Sequence, residues 1–141
     1  MSEIEIEIDG HLVSANQGDS IITIADREGI EVPRFCYHKK LSVAANCRMC
    51  LVDVEGMPKA QPACSTPAAS GMKIHTKNDK AKFAQKAVME FLLINHPLDC
   101  PICDQGGECE LQDVAMEYGS DVSKFNEGKR IVPDKGIGAL I

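Results

Sequence analysis

The sequence lacks any apolar run long enough to cross a membrane. Its uninterrupted apolar stretches, such as residues 91–94, are far shorter than the roughly 20 residues that a transmembrane helix requires. It also lacks a secretory signal, because residues 1–7 alternate between acidic and apolar side chains instead of showing a basic start followed by an apolar core. We therefore expect a soluble protein with no direct membrane insertion, which leaves docking on a membrane-bound partner open.

Positive charge is also scarce. The 15 lysines and arginines are outnumbered by 21 aspartates and glutamates, so the formal net charge is −6. Phosphate binding requires concentrated positive charge, and we therefore expect no nucleic-acid partner. A G-x-G-x-x-G segment that follows a strand is absent as well, so no nicotinamide site is predicted.

The seven cysteines are too few, and odd in number, for a disulfide scaffold. Disulfide-rich short chains carry roughly 8–10% cysteine or more, and an odd count leaves one thiol over from any full set of pairs. Because no secretory signal is visible, a reducing compartment and metal ligation are the better interpretation.

Residues 96–109 bring one imidazole and three thiols into a single short stretch. The spacing is H-x3-C-x2-C-x5-C, with two prolines and two glycines between the ligand residues. Thiolates suit zinc and iron-sulfur clusters far better than magnesium or calcium. The stretch therefore predicts a loop wrapped around a metal centre, with the ligands His96, Cys100, Cys103 and Cys109.

The preceding part of the chain, residues 1–78, is predicted to form a β-grasp module. Residues 3–9 alternate between polar and apolar side chains, and Asp9-Gly10 offers a two-residue hairpin turn. Asp19 or Ser20 can cap a helix that Gly29 ends. Further strands complete a mixed sheet of four or five strands with this helix packed on it, at residues 11–15, 51–55, 61–64 and 72–76.

The pattern becomes helical near residue 79, which predicts a small helical module at residues 79–119. Asn78 or Asp79 can cap a helix that ends before Pro97 and delivers His96 at its C-terminal end. A second helix is predicted from Glu108 to Tyr118, and residues 120–141 are predicted to form an extended tail. The first of these helices carries an apolar stripe, as is typical of a face packed on a core, made of Phe83, Ala84, Ala87, Val88, Phe91 and Ile94.

The four remaining cysteines form the other ligand set, spaced C-x10-C-x2-C-x13-C. Four thiols from a loop and the adjoining strands of a β-grasp module suit a [2Fe–2S] cluster, as in plant-type ferredoxins with their tighter spacing. By analogy with that fold we expect two ligands on each iron, with Cys36 and Cys47 on one and Cys50 and Cys64 on the other.

The set at residues 96–109 suits a [4Fe–4S] cluster. Exchanging one thiolate for a neutral imidazole removes one negative charge from the ligands, which is one way of setting a reduction potential. Gly106 and Gly107 are expected to let the loop turn sharply and to bring backbone N–H groups towards the cluster sulfurs. Ligand counting alone leaves two structural zinc sites open, because four cysteines, or three with a histidine, also hold zinc.

Three stretches closely resemble the N-terminal part of the large iron-sulfur subunit, of the 75-kDa type, of respiratory NADH–quinone oxidoreductase (complex I). They are PRFCYH at 33–38, NCRMCLV at 46–52, and the longer and highly specific stretch at 88–113. The resemblance implies a [2Fe–2S] cluster on Cys36, Cys47, Cys50 and Cys64, and a [4Fe–4S] cluster on His96, Cys100, Cys103 and Cys109.

By the same resemblance, the chain is an electron-transfer component of an oxidoreductase, with no independent active site and no catalytic residue of its own. It would relay electrons from NADH and flavin towards quinone. Its expected partners are other subunits of the hydrophilic arm of complex I, notably the subunit that binds flavin and NADH. Its expected location is the cytoplasmic side of a bacterial inner membrane, as part of a peripheral arm.

The chain also departs from this family. Ala45 stands where family members often have glycine, and Ala139 stands where proline is frequent. The family's subunit is several times longer and continues past a segment like residues 136–138 into a further cluster domain, so the chain resembles a fragment and residues 120–141 lead towards that domain. Two alternatives stay open: a small diaphorase-type iron-sulfur subunit of an NAD-linked hydrogenase or formate dehydrogenase, and a structural zinc-binding interaction module.

Overall fold

The computed structural model describes residues 3–131, so the end of the predicted tail, including Ala139 and the segment 136–138, lies outside the described residues. Within these residues there are five strands, three α-helices and a short 3-10 helix at Cys100–Ile102. The strands are β1 (Glu3–Ile8), β2 (His11–Asn16), β3 (Leu51–Val54), β4 (Gln61–Pro62) and β5 (Lys73–His75), and the helices are α1 (Ile21–Arg27), α2 (Asp79–Leu93) and α3 (Glu110–Tyr118).

The strands form one mixed sheet in the order β2-β1-β5-β3-β4. Strands β1 and β5 run parallel, and every other neighbouring pair is antiparallel. Together with the three helices this confirms the predicted α+β class and its mixed sheet. The strand expected at 61–64 is shorter than predicted, because only residues 61–62 pair with β3.

The hairpin between β1 and β2 turns at the residues that the sequence indicates. Asp9 has a φ of +50° and Gly10 a φ of +86°, the pair of positive angles that a tight two-residue hairpin turn requires. The Asp9 carboxylate also accepts hydrogen bonds from the backbone N–H of Thr76 at 2.7 Å and from its hydroxyl at 2.5 Å. The turn is therefore tied to the chain just after β5.

Helix α1 is capped at both ends by local contacts. Ser20, rather than Asp19, is the N-cap, and its hydroxyl accepts a hydrogen bond from the Thr23 N–H. At the other end Gly29 adopts a φ of +70°, and the Ile30 N–H donates to the Ala25 carbonyl at 2.8 Å. This is the Schellman arrangement, which favours glycine because its left-handed backbone brings no Cβ clash.

The hydrophobic core is shared by helix α1 and the sheet. Each fully buried isoleucine contributes roughly 1.5–3 kcal/mol relative to an exposed one, so this module has a substantial source of stability of its own. The helix contributes Ile21, Ile22, Ile24 and Ala25, and the strands contribute chiefly Ile6, Ile8, Val52, Val54 and Ile74.

Helix α2 packs on β3 with a different face from the one that its apolar stripe suggests. Phe83 is 75% exposed and Phe91 is 73% exposed, whereas the buried residues of the helix are Ala81, Gln85 and Met89. The Gln85 amide donates to the carbonyls of Leu51 and Thr76, at 3.0 and 3.4 Å. The expectation that the phenylalanine stripe packs on the core is therefore wrong. The face that packs on the sheet carries Gln85, because its amide finds hydrogen-bond acceptors in the carbonyls of Leu51 and Thr76.

The two ends of helix α2 and the helix that follows agree better with the sequence. Asn78 is the N-cap of α2 and accepts a hydrogen bond from the Ala81 N–H at 2.9 Å. Helix α3 contacts α2, has no buried residue and ends at Gly119, where an added Cβ would collide with the Ala115 carbonyl oxygen. Within residues 3–131, none of the helices is both long enough and apolar enough to span a bilayer.

Candidate metal centres

The first cysteine set surrounds the edge of the core near β3 and β4. Cys36 and Cys47 both lie within the long loop between α1 and β3, and both are half-buried. Cys50 directly precedes β3 and Cys64 is the second residue after β4, and their exposed fractions are only 1% and 2%. The Ala63 N–H donates to the Cys50 carbonyl at 2.9 Å, which holds these two buried positions side by side.

The thiols of this set interact in two pairs. Burial alone would raise the pKa of Cys36, but hydrogen bonds from the backbone N–H groups of Cys47 and Asn46 and the Cys47 thiol leave that pKa lowered. Burial raises the pKa of Cys50 to about 12, and the neighbouring Cys64 thiol adds to the effect. Cys47 also contributes to the raised pKa of Cys50, so the expected sharing of irons, Cys36 with Cys47 and Cys50 with Cys64, stays a prediction.

The loop that carries these ligands contains two non-glycine residues in the left-handed region. Ala45 has a φ of +52° and Arg48 a φ of +60°, which costs an L-residue roughly 1–2 kcal/mol. Ala45 therefore adopts the conformation that glycine would suit, although it is alanine. Arg48 stands between Cys47 and Cys50, and its conformation allows the Met49 N–H to approach the Cys47 sulfur at 3.5 Å. Strain of this kind is concentrated where a site needs a particular backbone path.

The second set lines one cavity of about 340 Å³, whose wall includes His96, Cys100, Cys103 and Cys109. The chain brings them together by turns that follow one another closely. The His96 N–H donates to the Leu93 carbonyl at the end of α2, and the Cys103 N–H donates to the Cys100 carbonyl at the end of the 3-10 helix. Cys109 is the N-cap residue of α3 and Cys100 opens the 3-10 helix, whereas His96 follows the last residue of α2 by three positions.

Two glycines shape the loop beside this cavity, and Gly106 lines it. A Cβ on Gly106 would lie 2.8 Å from the Cys100 carbonyl oxygen, and Gly107 has a φ of +92°, so the sharp turn expected here is present. Their N–H groups do not point at sulfur, however. Gly106 donates to the Cys103 carbonyl at 2.9 Å and Gly107 to the Gln112 side chain at 3.2 Å, which corrects that part of the expectation.

The donor types of both sets suit iron-sulfur clusters. A [2Fe–2S] cluster on four cysteines needs only two protein ligands per iron, and a [4Fe–4S] cluster needs one. Within residues 3–131, no three or more His, Cys, Asp and Glu side chains form a group that could hold one metal ion. All seven cysteines lie in the described range and are free thiols.

One group of contacts near the second set could not be predicted from sequence patterns. The Lys129 ammonium donates to the carbonyls of Leu93 and Ile94, at 2.6 and 3.1 Å, and the Arg130 N–H donates to the Asn95 side chain at 3.0 Å. Part of the segment predicted as a tail therefore binds the end of α2 just before His96. It was missed because these residues have no periodicity and their partners lie about 35 positions away.

Two family models match the chain. The model described as a 2Fe-2S iron-sulfur cluster binding domain covers residues 1–79, and the model described as the NADH-ubiquinone oxidoreductase-G iron-sulfur binding region covers residues 85–124.

Curated relatives match nearly the whole chain. The NADH-ubiquinone oxidoreductase 78 kDa subunit, mitochondrial, of Candida albicans is 52% identical over 143 residues, which covers 100% of this chain and 20% of that protein. The NADH-ubiquinone oxidoreductase 75 kDa subunit of Reclinomonas americana is 54% identical over 138 residues, which covers 98% of this chain and 20% of that protein. The chain thus spans about a fifth of the length of these relatives.

A solved structure has a similar fold. It is a crystal structure of an NAD⁺-reducing NiFe-hydrogenase in the H2-reduced state, with a TM-score of 0.76 and 23% sequence identity, and it covers 92% of this chain and 56% of that one. At this identity the likeness concerns the fold alone.

Proposed function

Because the chain belongs to the family of the 75/78 kDa iron-sulfur subunit of NADH–ubiquinone oxidoreductase, with a [2Fe–2S] and a [4Fe–4S] cluster as cofactors, we propose that it relays single electrons between these two clusters. In this proposal Cys36, Cys47, Cys50 and Cys64 hold the [2Fe–2S] cluster. His96, Cys100, Cys103 and Cys109 hold the [4Fe–4S] cluster.

The observation that carries the proposal is the shared cavity of the second set. Four donors drawn from the end of one helix, a 3-10 turn and the start of another helix all line it, at the spacing that the sequence alone singled out. When bound, the clusters supply the one-electron chemistry. The chain supplies the ligands, their order in space and, at the first set, a water-excluding wall formed by the buried Cys50 and Cys64.

We further propose the boundaries and partners that follow from this assignment. Residues 1–78 form the [2Fe–2S] unit, residues 79–119 form the [4Fe–4S] unit, and residues 120–141 are the segment that follows these two units. Electrons derived from NADH enter from a flavin-bearing subunit and continue towards quinone through other subunits of a peripheral arm, on the cytoplasmic side of a bacterial membrane. The names of the relatives, which are subunits of NADH–ubiquinone oxidoreductases, support this assignment.

Two alternatives have less support. A diaphorase-type subunit of an NAD-linked hydrogenase has only a likeness of fold behind it, at 23% identity, against 52% and 54% for the respiratory relatives. A structural zinc module is disfavoured because both matching family models describe iron-sulfur binding.

Anaerobic purification of the chain, followed by visible absorption, EPR at several temperatures, and iron and sulfide assays, tests the proposal. We expect about six irons per chain in two cluster types with separate EPR signals. Cys50→Ser should abolish the [2Fe–2S] signal and spare the other, and Cys103→Ser should do the reverse. His75→Ala, which removes a histidine paired with Glu55, is the control and should spare both. A colourless, EPR-silent, zinc-loaded protein would reject the proposal.

A further inference from the structure

The loop that carries Cys36 is fastened to helix α1 by a bidentate ion pair. The two guanidinium nitrogens of Arg34 donate to the two carboxylate oxygens of Asp26, at 2.7 and 2.6 Å. The third nitrogen of the same guanidinium, Nε, donates to the Val32 carbonyl at 3.0 Å. Such a planar fork restrains both position and orientation, which a lysine ammonium does not. Arg34 thus fixes the loop two residues before the ligand.

A second attachment lies just after the ligand. The Tyr37 hydroxyl is 3.1 Å from the Thr23 hydroxyl, which in turn is 2.7 Å from the hydroxyl of Ser20, the N-cap of α1. The Arg34 guanidinium also stands over the Tyr37 ring, 5.6 Å from its centroid. Cys36 is therefore held between two residues that are anchored to the same helix and to each other.

The charge of Arg34 lies close to the Cys36 loop, because its guanidinium stands over the ring of Tyr37, the residue next to Cys36. Asp26 is the more exposed partner of the ion pair, so solvent screens the carboxylate more than the guanidinium. The guanidinium charge is therefore only partly offset by Asp26 at this loop.

We infer that Arg34 is a positioning residue for the [2Fe–2S] site, which fixes the Cys36 loop on helix α1 and holds one positive charge beside the ligand set. Reduction adds a negative charge to the site, and a fixed cation stabilises the more negative state. Arg34 therefore raises the reduction potential of this cluster, and Asp26 lowers it. The inference rests on the proposed assignment of Cys36, Cys47, Cys50 and Cys64 as ligands.

EPR-monitored redox titration of the full, cluster-loaded chain tests this inference. Arg34→Gln should shift the midpoint potential of the [2Fe–2S] signal downwards, and Asp26→Asn should shift it upwards. Arg34→Lys keeps the charge but loses the fork, so its potential should stay close to that of the wild type while the cluster is lost faster to a chelator. The [4Fe–4S] signal of the same molecules is an internal control and should not move.

Arg27→Gln is the matched control variant. Like Arg34→Gln, it removes one positive charge, but from the end of helix α1. Arg27 pairs with Glu28 and with the Ser14 carbonyl, away from the ligand loop. Its potential should equal that of the wild type. A wild-type potential in Arg34→Gln, or shifts of Arg34→Gln and Asp26→Asn in the same direction, would overturn the charge claim.

If Arg34→Gln does not fold, the other two variants still test the inference. Asp26→Asn must raise the midpoint potential, and Arg34→Lys must leave it unchanged. A wild-type chain without any [2Fe–2S] signal would reject the ligand assignment together with this inference. A wild-type signal that is indifferent to Arg34 and Asp26 would reject the inference alone.

Discussion

Residues 3–78 enclose part of their ligand set in a hydrophobic core. Residues 79–119 carry their ligand set in the segment between two helices that have almost no core. The buried cluster of apolar residues lies entirely between Ile6 and Ile74, and it includes Cys50 and Cys64. Helix α3 has no buried residue, α2 has three, and Cys100 and Cys103 are exposed. We therefore expect the first module to fold on apolar burial, and the second to depend on what its predicted ligands bind.

Removal of iron should have the largest effect and should divide the chain in two. We expect residues 96–119 to lose their amide exchange protection in the apoprotein, because the free energy of metal binding is there the free energy of folding. The strands of the sheet should keep theirs. Hydrogen exchange with mass spectrometry on the loaded and chelated chain measures this. Unchanged protection across residues 96–119 after chelation would contradict the expected dependence of the second module on iron.

Truncation of the core should affect the first module alone. Ile74→Ala removes a fully buried side chain of β5, so we expect the free energy of unfolding of the apoprotein to fall by about 2–5 kcal/mol. Urea unfolding followed by circular dichroism measures it. Phe91→Ala serves as the control, because Phe91 is exposed on α2, and it should change stability by no more than about 0.5 kcal/mol. Equal losses in the two variants would be inconsistent with a core confined to the first module.

A single methyl group should damage the second module locally. Gly106→Ala places a Cβ 2.8 Å from the Cys100 carbonyl, a backbone atom that cannot move without moving a ligand. We expect a lower yield of the [4Fe–4S] signal per chain, with the [2Fe–2S] signal retained. Gly128→Ala is the matched control, because nothing lies within 4 Å of its Cβ. Full [4Fe–4S] occupancy in Gly106→Ala would show that the loop has room to adjust.

The smallest effect should come from the segment that binds the end of α2. Lys129→Met leaves the Leu93 and Ile94 carbonyls without their ammonium donor. We expect a loss of about 1–2 kcal/mol in stability, since hydrogen bonds to charged groups contribute roughly 1.5–3 kcal/mol at most. Thermal loss of the [4Fe–4S] absorption measures it. Lys124→Met removes an exposed ion pair with Glu90 and should cost less. The reverse order of the two variants would refute this role of Lys129.

Much of the first module could be predicted because its signals are local. The alternation in residues 3–9, the Asp9-Gly10 turn and the Gly29 cap each depend on contacts within about five positions, and all three are present in the structure. The buried face of α2 could not be predicted in this way. The phenylalanine stripe is the more apolar one, but Gln85 meets the carbonyls of Leu51 and Thr76, and such partners are known only once the strands are placed.

Which atoms can bind a metal, and in what groups, follows from the residue types and their spacing, because thiol and imidazole donors belong to particular side chains and short loops keep them close together. Which thiols are buried, which residues hold them in place and which faces stay exposed follows from packing. Arg34 with Asp26, Cys50 with Cys64 and Lys129 with the end of α2 are set by packing between elements, since each contact joins residues that lie apart in the chain and meet only when the sheet and helices assemble.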